Sequence, residues 1–226
     1  MRNIRHCLAY RINREVIYAY RNILYIIYTC TQRIIFFIMD YFYEKRLGIE
    51  TLGSYPLTND LSLFRDSKGC TPTPYLKLVK IIRYLKLTSD DVFVDLGCGE
   101  GRVILFVAAQ KIKKAIGVEL YKEIADIAQM NLSKSRLKNT PVEIINTDVV
   151  NFQPKEGTAF FMFNPFGEKT LEKVLKNIKD TLITNPRRIR IIYYSPAHRN
   201  LLDNQEWLLR EGEIDSEIFV WHKRVE

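Results

Sequence analysis

The stretch that decides the fold is Val92–Val103, which reads VFVDLGCGEGRV. Its first four residues are a short apolar strand that closes with an acid, Asp95. Three glycines then follow at alternate positions: Gly97, Gly99 and Gly101. Glycines at this spacing let the chain turn sharply, let a ligand approach the main chain and let the next helix pack close to the strand. The stretch therefore predicts a strand, a ligand-binding glycine loop and a helix.

Outward from this unit, short apolar strands alternate with longer helical segments. The further predicted strands are Ala115–Glu119, Val142–Ile145, Ala159–Phe163, Ile189–Tyr194 and Glu217–His222, and the predicted helices are Tyr75–Leu87, Gly101–Gln110, Lys122–Lys134 and Glu168–Asp180. Residues 197–210 are expected to form a helix, or a helix and then a strand. A short turn at Glu211–Ser216 would make the last strand an antiparallel edge strand.

This alternation predicts the fold class and the domain organisation. Strands joined by helical crossovers form a mostly parallel sheet with helices on both faces. We therefore expect a doubly wound α/β domain over residues 75–226, with an antiparallel edge strand. Residues 1–74 are expected to be an N-terminal extension. It begins with an α-helical part and ends with a connecting loop over Gly48–Pro74, which is rich in Gly, Pro, Ser, Asn and Asp.

The N-terminal extension is basic. The chain has a formal net charge of +8, and residues 1–46 contain eight basic and three acidic residues, a net charge of +5. Such an end favours an anionic neighbour, which can be nucleic acid, a membrane surface or an acidic protein. A solvated basic face is an equally good interpretation.

The most apolar part of the chain is Asn22–Met39, which contains Arg33. A central Arg costs about 2.5–3.5 kcal/mol on membrane insertion, which disfavours a true span. The apolar stripe that follows Arg33 instead predicts an amphipathic helix, and its members are Ile34, Phe37, Ile38, Tyr41 and Phe42. That helix can pack on the α/β domain, pair with a second copy or lie as a peripheral element in a membrane interface.

Cysteine usage indicates the compartment. Cys7, Cys30, Cys70 and Cys98 are widely spaced, with no C-x-x-C pair and no neighbouring histidine cluster. This spacing argues against a zinc site and against a disulfide framework, so we expect reduced thiols and no bound metal. Charged residues interrupt the N-terminus where a cleavable signal peptide would be apolar, so the expected location is cytoplasmic, with membrane association as the alternative.

Two acids at strand ends point to the kind of ligand. The loop lacks the G-x-G-x-x-G spacing of nicotinamide cofactor sites, and Asp95 places a carboxylate beside the glycines, which suits an ammonium group better than a pyrophosphate. Glu119 ends the second strand, 18 positions after Gly101, where an acid can accept both hydroxyls of a ribose.

These motifs resemble the class I S-adenosylmethionine (SAM)-dependent methyltransferases, from about Tyr75 to the C-terminus. The resemblance implies SAM as the cofactor, with its amino-acid end against Asp95 and the glycine loop and its ribose on Glu119. It also implies that Asp148, in the loop after the third strand, accepts from the adenine amino group. Tyr75 is expected to fold over the cofactor, although a plain helix start after Pro74 is an alternative.

The fourth strand ends in Asn164-Pro165-Phe166, where methyltransferases that act on nitrogen often carry Asn/Asp-Pro-Pro-Tyr/Phe. An amide oxygen and a carbonyl held rigid by Pro165 can accept hydrogen bonds from a target nitrogen, while Phe166 stacks on a planar target or a cation. One proline of the motif is missing, which weakens the case for a flipped adenine. Alternatively, Asn164 caps the next helix and Phe166 belongs to the core.

The same region is partly similar to the non-SET histone lysine methyltransferases, which favours protein lysine as the methyl acceptor. A nucleobase and a small amine or hydroxyl remain as alternative acceptors, and Tyr193 and Tyr194 at the end of the fifth strand can form a wall of the acceptor pocket. A second hypothesis is an inactive methyltransferase fold that acts as a binding or membrane-docking protein. Intact glycines and strand-end acids favour the enzyme.

Overall fold

A computed structural model describes residues 2–53, 71–136 and 139–224, with side chains from residue 21 onward. The helices are α1 (Arg2–Leu47), α2 (Tyr75–Leu85), α3 (Arg102–Ala108), α4 (Lys122–Lys134), α5 (Glu168–Thr184) and α6 (Arg199–Asp203). The strands are β1 (Val92–Leu96), β2 (Lys114–Glu119), β3 (Val142–Asn146), β4 (Ala159–Phe163), β5 (Arg190–Tyr194), β6 (Leu208–Ile214) and β7 (Ile218–Lys223).

The strands form one seven-stranded sheet in the order β3-β2-β1-β4-β5-β7-β6. The first five strands in sequence pair in parallel, and β7 pairs antiparallel with both β5 and β6. This confirms the predicted doubly wound, mostly parallel sheet with antiparallel pairing at one edge. Helices α2, α3 and α4 cover one face and α5 and α6 cover the other, because each strand alternates its side chains between two apolar clusters.

Two details at that edge differ from the prediction. The last strand in sequence, β7, is not the outermost one, because β6 lies outside it. The predicted turn Glu211–Ser216 is also too long, since the strand continues to Ile214 and the reversal occurs at Asp215 and Ser216, both with positive φ. Alternating exposed glutamates in β6 resemble a loop in sequence, and only pairing with the apolar β7 shows them to be strand.

The chain divides into two compact units, Met1–Phe42 and Tyr43–Glu226. This division falls earlier than the predicted boundary at residue 74, because residues 43–53 and 71–74 pack as part of the α/β unit. The expected connecting loop lies partly outside the described residues, at 54–70. Helix α1 continues past this division to Leu47, and its Arg21–Leu47 portion is long and apolar enough to cross a membrane, judged by length and composition alone.

Candidate active site

The glycine loop lies at the carboxyl end of β1, at the centre of the sheet. Gly97, Gly99 and Gly101 have φ values of 88°, 53° and 88°, in the left-handed region that favours glycine. The backbone N–H groups of Gly97 and Cys98 both donate to the Val118 carbonyl oxygen of β2, at 2.9 and 3.0 Å. These bonds hold the loop over the ends of two adjacent strands.

Asp95, two residues before the first loop glycine, is buried with an uncommitted oxygen. The residue is 2% exposed, and its Oδ2 atom has no hydrogen-bond partner among the residues the structure describes. Burial, and secondarily the nearby charge of Glu119, raises the pKa of Asp95 well above its usual range. An unpaired buried carboxylate is costly, so its position calls for a cationic ligand group.

Glu119 ends β2 beside the loop, with its carboxylate buried. It accepts from the backbone N–H of Gly99 and from that of Tyr121, each at 3.0 Å. Burial raises the pKa of Glu119, and these two hydrogen bonds oppose the rise. Each carboxylate oxygen has a further lone pair that can accept from a ribose hydroxyl.

Asp148 follows β3 on the same side of the sheet. It is half-buried, and its Oδ1 atom accepts from the Val150 backbone N–H at 3.0 Å, which closes a tight turn. The neighbouring Val149 packs against the apolar cluster on the α5 face. The structure thus brings Asp95, Glu119 and Asp148 to one edge of the sheet, at the carboxyl ends of β1, β2 and β3.

The turn after β4 touches the glycine loop directly. A β-carbon built on Gly97 would lie 2.7 Å from the Pro165 Cβ atom, so the two loops are as close as glycine allows. Asn164 has a φ of 44°, which is unusual for a residue other than glycine and often marks a functional site. Its Oδ1 atom accepts from the Tyr193 hydroxyl at 3.0 Å.

Phe166 does not stand where a substrate-stacking ring is needed. It is 6% exposed and packs in the apolar cluster under α5. This corrects the predicted acceptor-stacking role, because the turn at Asn164 and Pro165 directs the next side chain into the core. An aromatic pair that the motif did not single out lies one residue before the turn: Phe163 stacks on Tyr194, with ring centroids 4.2 Å apart.

Tyr75 also lies apart from the predicted cofactor contact. Its side chain is fully buried, and its hydroxyl donates to Glu44 Oε1 at 3.0 Å. Its ring stacks on Tyr43 and lies under the Arg102 guanidinium, 4.7 Å from the ring centroid. This corrects the prediction, since both the hydroxyl and the ring are committed to a buried network.

Arg102 is the centre of that network and the first helical residue after the glycine loop. It is 2% exposed and pairs with Glu44 at 3.3 Å. Its guanidinium also donates to the Thr51 hydroxyl at 2.7 Å, the Thr51 carbonyl at 3.1 Å and the Thr73 carbonyl at 3.2 Å. Glu44 near the end of α1 and Thr73, two residues before α2, are therefore tied to the residue that follows the loop. A lone Arg in a helix gives no signal of such a role in sequence.

Asn131 of α4 links the backbone at Glu50, just after α1, to the backbone of the glycine loop. It is fully buried, and its Nδ2 atom donates to the Glu50 carbonyl at 2.9 Å and the Glu100 carbonyl at 3.0 Å. Glu100 lies between two of the loop glycines. Sequence reasoning missed Asn131 because its partners are 31 and 81 positions away.

The residues at this edge fit SAM. The unpaired Asp95 oxygen suits the ammonium group, the glycine loop exposes its main chain to the amino-acid end, and Glu119 keeps acceptor capacity for the ribose. A ligand with a pyrophosphate would instead meet the buried negative charge of Asp95 and Glu119. The fit therefore rests on the sign of the charges as well as on the shape of the loop.

Comparison with known proteins agrees with this site. Residues 72–152 match the model of the family described as histone methylation protein DOT1, a range that includes Asp95, Glu119 and Asp148 but ends before Asn164. A protein-lysine N-methyltransferase of Saccharolobus islandicus is 32% identical over 111 residues, which cover 46% of this chain and 68% of that protein. A histone-lysine N-methyltransferase of Dictyostelium discoideum is 36% identical over 86 residues, which cover 33% of this chain but only 5% of that protein.

The fold is also found among solved structures. The crystal structure of an RNA methyltransferase from Salinibacter ruber, in complex with S-adenosyl-L-homocysteine, superposes with a TM-score of 0.52 and 18% identity, and it covers 68% of this chain and 92% of its own. One family is indicated by the sheet order, by the acids at its carboxyl edge and by the Saccharolobus islandicus relative. The chain belongs to the class I SAM-dependent methyltransferases and is related to the DOT1 family within them.

Proposed function

We propose that this methyltransferase transfers the methyl group of SAM to the ε-amino nitrogen of a protein lysine. The observation that carries the proposal is the contact between Gly97 and Pro165. It sets the turn that bears Asn164 directly against the loop expected to hold the cofactor. A group that orients the acceptor must lie this close to the cofactor loop, because methyl transfer requires the attacking lone pair to be aligned.

The residues of the turn supply orientation rather than strong basicity. Bound SAM supplies a methyl group on a sulfonium, which is electrophilic without further activation. The Asn164 backbone carbonyl and the free lone pair of its side-chain oxygen can accept N–H bonds from the target amine. Pro165 limits the motion of that carbonyl, and the nearby Phe163–Tyr194 pair offers an apolar wall against which a lysine side chain can lie.

Relatives of this chain, and not local charge, favour a lysine acceptor. Beside the aromatic pair, Lys77 pairs with both Asp215 and Glu217, and Lys80 pairs with Asp215, so these charges are balanced. The protein-lysine activity in the name of the Saccharolobus islandicus relative supports protein lysine as the substrate class.

The direct test is methyl transfer from SAM labelled in its methyl group. The full-length protein is incubated with a protein fraction and, separately, with total RNA from the same cells. We expect label in protein and ε-methyl-lysine in its hydrolysate. Label confined to RNA would instead establish a nucleobase acceptor, and SAM binding without transfer to either pool would favour the inactive binding protein.

Substitutions of Asn164 test its proposed role in orienting the methyl acceptor. Asn164→Asp keeps an acceptor oxygen and a residue type that tolerates the left-handed backbone, whereas Asn164→Gly removes the side chain without backbone strain. We expect Asn164→Gly to retain SAM affinity and to lower turnover at least tenfold. An unchanged rate would assign Asn164 a structural role only.

We further propose that the protein works in the cytoplasm at a membrane surface, through α1. Twelve large apolar side chains of Ile23–Phe42 are 45–68% exposed, while Arg21, Lys45 and Arg46 flank them with positive charge. Such a helix suits the boundary of an anionic bilayer. Flotation with vesicles that contain phosphatidylserine tests this.

The matched variants for flotation are Phe37→Asp and Ile183→Asp, which place the same charge at exposed apolar positions of α1 and of α5. We expect only Phe37→Asp to reduce binding. Equal flotation of both variants, or none of the wild type, would contradict a lipid contact.

A further inference from the structure

Tyr193 is a buried tyrosine of β5 whose hydroxyl reaches the predicted acceptor site. In the parallel pairing of β4 and β5 it lies opposite Met162, two residues before Asn164. Its side chain is on the α5 face of the sheet and only 1% of the residue is exposed. The hydroxyl donates to Asn164 Oδ1 at 3.0 Å. A polar hydroxyl is thus held in an apolar cluster and aimed at one side chain.

This hydrogen bond sets the orientation of the Asn164 carboxamide. A phenol has one proton, and the Tyr193 hydroxyl donates it to Asn164 Oδ1. Burial raises the pKa of Tyr193, so the hydroxyl keeps the proton that it donates. The carboxamide oxygen of Asn164 therefore faces Tyr193, and its amide nitrogen faces away.

We propose that Tyr193 is a positioning residue that holds the Asn164 carboxamide in the single rotamer needed to orient the methyl acceptor; this rests on the acceptor role proposed for Asn164. The phenol is the group that fixes this rotamer, because Pro165 constrains the backbone around it and not the Asn164 side chain. With one lone pair of Oδ1 occupied by the Tyr193 hydroxyl, the other is left at a fixed angle for the acceptor. Polarisation by the phenol also leaves the carboxamide more polar than a free one.

The expected consequence is a loss of turnover without a loss of cofactor. Tyr193→Phe preserves the ring in its apolar cluster and removes only the hydroxyl. Asn164 can then rotate, and misplacement of an orienting group by about 1 Å can cost up to about 100-fold in rate. We expect kcat to fall about 10–100-fold, while the SAM dissociation constant stays within twofold of wild type.

The matched control is Tyr84→Phe, in α2. The hydroxyl of Tyr84 faces Glu211 and Gly212 of β6, away from the strand ends that carry the proposed site. Loss of this hydroxyl should leave kcat unchanged. A fall in kcat for both variants would indicate a general effect of hydroxyl removal and would overturn the positioning role.

A double-mutant cycle separates positioning from a merely structural role. If Tyr193 acts through Asn164, the Tyr193→Phe change must have no further effect on kcat in an Asn164→Gly background. If the two losses multiply instead, Tyr193 acts independently and the inference is wrong. Thermal melting of each variant reports on folding separately, so a poorly folded variant is recognised.

The same experiment distinguishes this inference from the proposed function. An unaffected Asn164→Gly enzyme would contradict the acceptor role of Asn164, on which the inference about Tyr193 rests. A strongly impaired Asn164→Gly enzyme together with a fully active Tyr193→Phe enzyme supports that role and overturns the inference about Tyr193.

Discussion

Gly97 and Pro165 are in contact across the sheet edge: a β-carbon on Gly97 would lie 2.7 Å from the Pro165 Cβ atom. One residue belongs to the turn after β1 and the other to the turn after β4. The absence of a side chain at Gly97 is therefore what allows the cofactor loop and the proposed acceptor turn to share one site.

The first prediction follows from this contact. Gly97→Ala should lower both SAM affinity and kcat, because the left-handed backbone costs about 1–2 kcal/mol and the new methyl group displaces Pro165. Gly101→Ala has the same φ of 88°, but its β-carbon would meet Ala128 at an ordinary 3.4 Å. Calorimetric SAM titration should show a larger loss for Gly97→Ala, and equal losses would contradict the steric argument.

The second prediction concerns stability and pH at Asp95. Because its pKa is raised in the folded protein, ionisation of Asp95 destabilises the cofactor-free fold as the pH rises above the unfolded value of about 3.9 toward the folded value. Asp95→Asn should therefore stabilise the cofactor-free protein at neutral pH, by about 1–3 kcal/mol, and this gain should vanish in acid. The same change should abolish tight SAM binding.

Urea unfolding of the Asp95→Asn variant between pH 4 and pH 8 measures the first effect, and SAM titration measures the second. A variant that is less stable than wild type at neutral pH would show that Asp95 has a stabilising partner in the free protein.

The third prediction concerns the buried ion pair of Glu44 and Arg102. Glu44→Ala removes one member of a buried ion pair, in a site where Arg102 is 2% exposed, and should destabilise the fold by about 3–5 kcal/mol. Lys176→Ala removes an exposed pair with Asp180 in α5 and should cost under about 0.5 kcal/mol. Chemical denaturation of both variants checks this, and similar small losses would mean that Arg102 is satisfied without Glu44.

The fourth prediction concerns where the N-terminal helix can be cut. Removal of residues 1–42 leaves Glu44 in place and should preserve SAM affinity. Removal of residues 1–46 takes Glu44 away and should weaken both stability and SAM binding through Arg102. SAM titration of the two truncated proteins compares them. Equal SAM affinity of the two truncated proteins would show that the end of α1 does not influence the cofactor loop.

Local pattern in the sequence was enough to determine the framework. Alternating apolar segments predicted the parallel strands, and the spacing of Gly97, Gly99 and Gly101 predicted the loop. In a parallel sheet, the carboxyl ends of adjacent strands meet at one edge. The positions of Asp95 and Glu119 at two strand ends were therefore sufficient to predict that these acids lie together.

Contacts between residues distant in the chain were decided only by the tertiary structure. Phe166 turns into the core and Tyr75 into a buried network, although short motifs had suggested ligand contacts for both. Arg102 donates a hydrogen bond to Thr51, 51 positions away in the chain, and Tyr193 donates one to Asn164, 29 positions away. A motif specifies backbone direction over a few residues, whereas the partner of a buried polar group depends on which distant segment packs beside it.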